Sequence, residues 1–257
     1  MDTTEHKAFG IALAREAGEI MLKHFSLNID IEIKDDSSPV TIADKEINAL
    51  VIRKISEKYP THNIITEEAP AIQKDSRYSW VCDPIDGTMP YSAGIPLSTF
   101  SLALCEDGEP ILGVVYDPIL KRLFTAEKGK GAYLNETIRM KVNTLPKIAG
   151  SYASITPTFG KLVEHLIVDQ KVANPTYWSF VYQAMMVALG KFTVAVLRLK
   201  KPWDVAALAL IVKEGGGKVT DIDGNEQKYD REVNGCIASN GLVHDEILEL
   251  IRKFKDK

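Results

Sequence analysis

The chain changes its secondary-structure pattern part-way along its 257 residues, and this change limits the folds that it can adopt. Residues 99–134 contain four apolar strand candidates separated by short turns. The turn sequence EDGEP between the first two predicts a hairpin within an antiparallel meander. After about residue 141, strand candidates alternate with helix candidates, which is typical of α/β structure. We therefore predict an α+β half over residues 1–140 and an α/β half over 141–257, sharing one body without a linker.

Hydrophobic periodicity predicts the elements around this change. Apolar side chains at spacings of three and four predict helices over residues 4–25 and 42–59. The start of the second helix, Thr41-Ile42-Ala43-Asp44, resembles a capping box with Asp in place of Glu. Strands predicted at 63–68 and 79–83 both end on acidic residues. The elements predicted in the second half are a strand at 151–155, helices at 158–168 and 180–189, a strand at 193–198, a helix opening at Pro202-Trp203-Asp204 and a strand ending in KVTDIDG.

Composition excludes several broad classes of protein. An apolar content of 45% argues against general disorder, and 35 acidic against 31 basic residues argue against a nucleic-acid partner held by a basic field. The three cysteines form no CxxC pair, which argues against a zinc knuckle or a disulfide framework. The N-terminal residues lack the apolar core of a secretory signal, and no apolar run is long enough for a membrane span. We therefore predict a cytoplasmic protein without a membrane partner.

The most specific local motif is DPIDGT, residues 83–88. Pro84 fixes its φ angle, and Gly87 permits a turn that other residues resist. Asp83 and Asp86 are therefore held three residues apart on a rigid loop. Such a turn suits hard divalent cations, which prefer oxygen ligands. Taken alone, the motif also fits a type I turn with two solvated aspartates.

Further motifs resolve this ambiguity through their combination. Four segments occur in order along the chain: VTIAD (40–44), ITEEA (65–69), WVCDPIDGT (80–88) and PWDVAA (202–207). Together they resemble the inositol monophosphatase superfamily of magnesium-dependent, lithium-sensitive phosphatases. The longer segments GVVYDPILKRLFTAEKGKGAYLN (113–135) and EGGGKVTDIDG (214–224) extend the resemblance, which runs from about Val40 to Gly241.

The resemblance implies a fold and an assembly. The expected fold is an α+β to α/β layered αβαβα sandwich of the inositol monophosphatase or sugar phosphatase type. The first half would carry an antiparallel sheet, the second half a mixed sheet, and the metal site would lie between them. A homodimer is the usual arrangement of the family and is expected here.

The resemblance also implies two or three Mg²⁺ ions and the residues that hold them. Glu67, Asp83 and the backbone carbonyl of Ile85 would hold the first ion. Asp83, Asp86 and Asp204 would hold the second, and a looser third ion would depend on Glu67 through water. Clustered metal ions neutralise a phosphate dianion, lower the pKa of bound water and stabilise the leaving alkoxide.

The implied catalytic groups lie close to these ligands in the sequence. Asp44 and Thr88 would position and deprotonate the attacking water, and the backbone N–H groups of Gly87 and Thr88 would face the phosphate oxygens. Lys34 is interpreted either as a charge near the metal site or as a solvated side chain. Glu68 is interpreted as an outer or solvated residue.

The sequence departs from the family pattern where the substrate would bind. Met89-Pro90-Tyr91 follows DPIDGT, and an aromatic cluster of Tyr177, Trp178 and Phe180 replaces small residues of the substrate loop. The cluster is interpreted either as core or dimer packing or as a substrate wall. Leu197 stands where an acidic residue would grip inositol hydroxyls, and Arg198 beside it would either pair with an anionic group of the substrate or lie on the surface.

We therefore predict a Mg²⁺-dependent phosphomonoesterase acting on a small phosphorylated metabolite. Inositol phosphates, sugar phosphates such as fructose 1,6-bisphosphate, histidinol phosphate and 3′-phosphoadenosine phosphate are candidate substrates. The competing hypothesis is a non-enzymatic regulatory or nucleic-acid-associated binding module. The presence of every expected metal ligand favours the enzyme.

Overall fold

The two larger of three β-sheets alternate with three layers of helices. The structure is a computed structural model that describes residues 3–27, 29–35, 38–175 and 178–254. Its α-helices are α1 (Thr4–His24), α2 (Ile42–Lys58), α3 (Thr88–Ser92), α4 (Gly160–Val168), α5 (Phe180–Ala188), α6 (Ala206–Glu214) and α7 (His244–Phe254). Its strands are β1 (Ile31–Ile33), β2 (Pro39–Thr41), β3 (Asn63–Thr66), β4 (Ala69–Ile72), β5 (Tyr78–Asp86), β6 (Thr99–Glu106), β7 (Glu109–Asp117), β8 (Arg122–Glu127), β9 (Gly131–Leu134), β10 (Ile138–Arg139), β11 (Ala153–Ile155), β12 (Val194–Leu197), β13 (Lys218–Thr220) and β14 (Cys236–Ser239).

The first sheet has the strand order β10-β9-β8-β7-β6-β5-β3-β4. The predicted hairpin between β6 and β7 and the meander that follows are confirmed. Strand β6 shows why both faces of this sheet are covered. Leu102 and Leu104 belong to the apolar cluster formed with α1 and α2, whereas Ala103 and Cys105 belong to the cluster formed with α5 and α6. The predicted antiparallel sheet contains one parallel pair, β3 and β5.

The second sheet is mixed, as predicted, with the order β11-β12-β14-β13. Alternation along β12 directs Val194 and Val196 towards α4 and α7, and Ala195 and Leu197 towards α5 and α6. The layers are therefore α1/α2, the first sheet, α5/α6, the second sheet and α4/α7. This order confirms the αβαβα sandwich.

Several boundaries differ from the prediction for local reasons. The strand predicted at 63–68 ends at Thr66, because the chain turns at Glu67-Glu68 and β4 pairs back onto β3. Strand β5 continues to Asp86 rather than ending at residue 83, with a register shift between Asp83 and Asp86. The capping box is confirmed, since the Thr41 and Asp44 side chains each accept from the other's backbone N–H.

Two further features concern the chain as a whole. The three cysteines are free and buried, so that they act as small core side chains. Within the described ranges, none of the helices combines the length and the apolar character that crossing a bilayer requires. The division at residues 140 and 141 stays a prediction, because the apolar cluster around α6 contains side chains from both halves, such as Val81 and Val212.

Candidate active site

The acidic turn lies at the carboxyl end of β5. Asp83 is 2% exposed and Asp86 is 3% exposed. Asp83 is opposite Ser101 and Asp86 is opposite Thr99, so that two residues of β5, Pro84 and Ile85, face the single residue Phe100 of β6. This bulge redirects the chain, and the backbone N–H of Ile85 donates to Asp83 Oδ1 over 3.0 Å. Two carboxylates are thereby buried at one end of the sheet.

Gly87 ends this turn in a conformation that favours glycine, with φ at +84°. A Cβ atom there would lie 2.9 Å from Ser179 Cβ and 3.0 Å from the Leu97 carbonyl oxygen. The absent side chain therefore allows the start of α5 to approach the acidic turn. Substitution by any L-residue would strain the backbone and separate these segments.

Asp86 is bound to the beginning of α5. Its Oδ1 accepts from the Phe180 N–H over 3.0 Å, and its Oδ2 accepts from the Val181 N–H over 3.1 Å and from the Ser179 hydroxyl. Burial raises the pKa of Asp86 to about 6, although these hydrogen bonds favour the charged form. Sequence reasoning missed Ser179. Its only local signal was a serine directly before a predicted helix, which is a preferred N-cap.

Asp44 and Thr88 meet across the site. The Thr88 hydroxyl lies 3.3 Å from Asp44 Oδ1 and 3.0 Å from the carbonyl oxygen of Ile85. Asp44 Oδ2 accepts from the backbone N–H of Thr41 over 2.8 Å. Burial raises the pKa of Asp44 to about 6, and the nearby charges of Glu68 and Glu67 act in the same direction. The structure therefore brings these two predicted catalytic residues together.

Lys34 bridges the two glutamates that follow β3. Its Nζ donates to Glu67 Oε1 over 2.7 Å and to Glu68 Oε1 over 2.8 Å. Burial opposes the charge on Lys34, but its hydrogen bonds to both carboxylates raise its pKa above the usual range. The solvated interpretation of Lys34 is therefore wrong, and Glu68 belongs to the same ionic group.

Asp83 and Asp204 complete the acidic group. Burial raises the pKa of Asp83 well above its ordinary value, followed by repulsion from Glu67, Asp86, Asp204 and Asp44. Burial also raises the pKa of Asp204, followed by repulsion from Asp86 and Glu67, while Lys201 and Lys34 act in the opposite direction. Residues from four separate chain segments therefore share one electrostatic environment.

The four aspartates of this group carry charges that no ion pair in the described part of the chain compensates. In residues 3–27, 29–35, 38–175 and 178–254, no Lys or Arg side chain forms an ion pair with Asp44, Asp83, Asp86 or Asp204. Nor is any set of three His, Cys, Asp or Glu side chains in those ranges already arranged around a metal position. Glu67 is directed towards Lys34 and Asp86 towards α5, because each accepts hydrogen bonds there. The donors are hard oxygen atoms with surplus negative charge, which fits a divalent cation such as Mg²⁺.

The residues considered for substrate binding lie in different places. Trp178 is 59% exposed and directly precedes Ser179, whereas Phe180 packs against the apolar cluster around α6. Tyr177 lies outside the described residues. Arg198 is not brought into the acidic group. It lines a separate cavity whose lining contains none of the five predicted site carboxylates.

Comparison with known proteins shows the family to which the chain belongs. A sequence model of the Inositol monophosphatase family matches residues 2–256. The chain belongs to the inositol monophosphatase family. It is 35% identical to the fructose-1,6-bisphosphatase/inositol-1-monophosphatase of Thermotoga maritima, with 97% of this chain and 96% of the relative covered.

A second relative and a solved structure support the same membership. The chain is 36% identical to the Nus factor SuhB of Haemophilus influenzae, with 94% of each chain covered. The solved structure of a Thermotoga maritima IMPase superposes with a TM-score of 0.89 at 32% identity, covering 98% of this chain and 99% of that one. The family resemblance inferred from the motifs is therefore confirmed.

Proposed function

We propose that this inositol monophosphatase family member is a Mg²⁺-dependent phosphomonoesterase acting on a small phosphorylated metabolite. The observation that carries the proposal is the group of four aspartates without an ion-pair partner in the described part of the chain, of which Asp44, Asp83 and Asp86 are buried. Burying uncompensated carboxylates costs folding free energy, so that a site retaining them is suited to external cations.

The ligands that we propose for Mg²⁺ are the carboxylates of Glu67, Asp83, Asp86 and Asp204 and the backbone carbonyl of Ile85. Oxygen donors alone favour Mg²⁺ over zinc, which prefers nitrogen and sulfur ligands in structural sites. We propose two or three ions. When bound, Mg²⁺ neutralises phosphate charge, activates water and stabilises the leaving oxygen.

Asp44 and Thr88 supply the polar groups that we assign to the attacking water. The Thr88 hydroxyl, within reach of Asp44 Oδ1 and of the Ile85 carbonyl, orients the water. Asp44 Oδ1 accepts its proton, since this oxygen lies beside the Thr88 hydroxyl that orients the water. We also propose that the N–H groups of Gly87 and Thr88 face the phosphate oxygens, since they begin α3 beside the acidic turn.

The leaving group contacts this site from the side of α5. We propose Trp178 as part of its wall, because the exposed indole directly precedes the serine that binds Asp86. The backbone N–H of Phe180 holds Asp86, whereas its side chain packs against the apolar cluster around α6 and does not form part of the wall. The sequence-based suggestion that Arg198 contacts the substrate is not supported by its position in a separate cavity.

The proposal is tested by phosphate release from purified protein with millimolar Mg²⁺. The substrate panel contains inositol 1-phosphate and fructose 1,6-bisphosphate, which the name of the Thermotoga maritima relative covers. It also contains histidinol phosphate and 3′-phosphoadenosine phosphate, the other candidates that the sequence suggests. We expect hydrolysis of at least one substrate and its loss with EDTA. Absence of phosphate release from every compound would overturn the proposal.

A second function has one observation in its favour. The relative from Haemophilus influenzae is named a Nus factor, which suggests a regulatory binding role for a chain of this family. If the panel gives no product while the protein binds Mg²⁺ and remains folded, the binding-module hypothesis replaces the enzyme.

Assembly and location remain predictions. We propose a homodimer, as the family resemblance implies, and a cytoplasmic protein. Size-exclusion chromatography with light scattering tests the dimer, since a mass of one chain would contradict it. Fractionation of cells expressing the untagged chain tests the location.

A further inference from the structure

A cavity on the outer face of the second sheet carries an unassigned combination of charge and apolar surface. Its volume is about 310 Å³, near the lower end of small-molecule sites. Six side chains define what we name the outer cavity: Phe159, Lys161, Arg198, Ile222, Ile251 and Phe254. We propose that the outer cavity binds a small organic anion with an aromatic or branched apolar body.

The position of Arg198 follows from the alternation of β12. Val194 and Val196 face α4 and α7. Arg198, two residues beyond Val196 and just past the end of the strand, lies on the same face of the sheet. The backbone N–H of Arg198 donates to Thr156 Oγ1 over 3.2 Å, and the Thr156 N–H donates to the Val196 carbonyl over 3.0 Å. These bonds tie the end of β12 to the segment that carries Phe159.

Two cations of this cavity have no anionic partner in the part of the chain that the structure describes. Neither Lys161 nor Arg198 forms an ion pair there, although both are exposed. The Arg198 guanidinium lies 4.6 Å from the centroid of the Phe159 ring, which orders it by a cation–π contact. The acidic residue of the lining is Asp223, whose Oδ2 accepts from Asn234 Nδ2 over 2.8 Å. Two cations against one carboxylate leave the lining with a charge of +1.

The rest of the lining indicates the kind of anion. Ile222, Ile251 and the Phe254 ring form an apolar wall, which favours a body without polar groups. An anionic head at Lys161 and Arg198 with an apolar body against the wall satisfies both parts of the lining.

The outer cavity is distinct from the acidic site. Its lining contains none of the carboxylates assigned to Mg²⁺, and its charge has the opposite sign. Binding there can therefore be measured on metal-free protein, in which the uncompensated carboxylates repel anions from the acidic site. This condition separates the outer cavity from any phosphate bound during catalysis.

The test is calorimetric titration of EDTA-treated protein with phenylphosphonate, which has an anionic head and an aromatic body and resists hydrolysis. We compare wild type with the double variant K161Q/R198Q. The matched control is K147Q/R53Q, which removes one exposed Lys and one exposed Arg that lie outside the cavity lining. All four side chains are exposed, and unfolding midpoints verify that the variants fold.

We expect saturable binding of one phenylphosphonate per chain to wild type and to the control. K161Q/R198Q should raise the dissociation constant by about tenfold or more, as expected for the loss of two charge-assisted contacts. Benzyl alcohol, which lacks the charge, and inorganic phosphate, which lacks the ring, should each bind more weakly. Equal affinity of wild type and K161Q/R198Q, equal weakening in the control, or equal binding of benzyl alcohol would overturn the proposal.

Discussion

Two buried carboxylates of the first sheet differ in whether neighbouring side chains compensate their negative charge. Glu127, at the end of β8, is 7% exposed and accepts from Lys7 over 3.2 Å, from Lys130 over 2.7 Å and from the Thr3 hydroxyl. Burial alone would raise the pKa of Glu127, but the hydrogen bonds from Lys130, Thr3 and Lys7 lower it below the ordinary value. The fold therefore supplies full compensation for this charge.

Asp83, near the end of β5, is buried more deeply, at 2% exposed, and lacks this compensation. No ion-pair partner lies beside it among the described residues, and burial followed by repulsion from Glu67 raises its pKa well above the ordinary value. The difference shows that this chain can neutralise a buried acid with its own lysines and does not do so at Asp83. We infer that the missing charge is supplied by metal ions.

Exchanging each acid for its amide should separate the two roles by activity. Asp83→Asn removes a proposed Mg²⁺ ligand and should lower phosphate release by about a thousandfold or more. Glu127→Gln, which changes the charge equally at a site remote from the acidic turn, should stay within about twofold of wild type. Initial rates at saturating Mg²⁺ measure both. Comparable losses in the two variants would contradict the assignment.

Asp83 is preferred to Asp86 for this experiment. Asp86 also accepts from the Phe180 and Val181 N–H groups, so that Asp86→Asn disturbs the start of α5 as well as the metal site. At Asp83, the contact from the Ile85 N–H to Oδ1 can persist with an amide.

The hydroxyl beside the acids should have a smaller effect on activity. Thr88→Ala removes the group shared by Asp44 Oδ1 and the Ile85 carbonyl and should lower the turnover number by about a hundredfold. Thr88→Ser retains the hydroxyl and should recover most of the activity. Steady-state kinetics of both variants measure the difference, and equal activity of the Ala and Ser variants would exclude a role for the hydroxyl.

The same amide exchanges should have opposite effects on stability. In metal-free protein, Glu127→Gln weakens a compensated, hydrogen-bonded acid and should lower the free energy of unfolding by about 1–3 kcal/mol. Asp83→Asn relieves repulsion and should leave that free energy unchanged or raise it. Urea unfolding in EDTA gives both values. A loss at Asp83 as large as that at Glu127 would show that Asp83 is compensated after all.

The stability contributed by Asp44 and that contributed by Glu127 should change with pH in opposite directions. Asp44 has a folded-state pKa of about 6, above its ordinary value of 3.8. As pH falls, the folded state therefore takes up this proton at a higher pH than the unfolded state does. Metal-free stability should therefore rise by about 1 kcal/mol from Asp44 alone as pH falls from about 7 to about 5. Glu127, with a lowered pKa, contributes stability above about pH 4.5, which is lost only as pH falls through its folded pKa.

Urea unfolding of Asp44→Asn across this pH range measures the contribution of Asp44. The variant should show a flatter dependence than wild type between about pH 7 and about pH 5. An unchanged slope would show that Asp44 does not titrate there.

Local patterns predicted much of this fold and its acidic motif. Apolar spacing indicated α1 and α2, turn residues indicated the β6–β7 hairpin, and Thr41 with Asp44 indicated the helix start. Those features depend on neighbours in the sequence. The amphipathic helix α7 also has a local signal, in Ile247, Leu248 and Ile251, that the prediction did not use.

The features that escaped prediction depend on contacts between distant segments. Ser179 reaches Asp86 across 93 positions, and Lys34 reaches Glu67 across 33, so that no local pattern specifies either partner. Strand parity could have placed Arg198 on the face of Val194 and Val196, but the cavity there depends on α4 and α7 packing against it.

Mg²⁺ binding tests the central claim most directly. Calorimetric titration of MgCl₂ into EDTA-treated, dialysed protein should show saturable binding of two or three ions to wild type and to Glu127→Gln. Asp83→Asn should lose at least one ion or bind at least about tenfold more weakly, because it loses a charged ligand. Absence of saturable binding to wild type, or binding that Asp83→Asn leaves unchanged, would contradict the conclusion that the uncompensated acids hold metal.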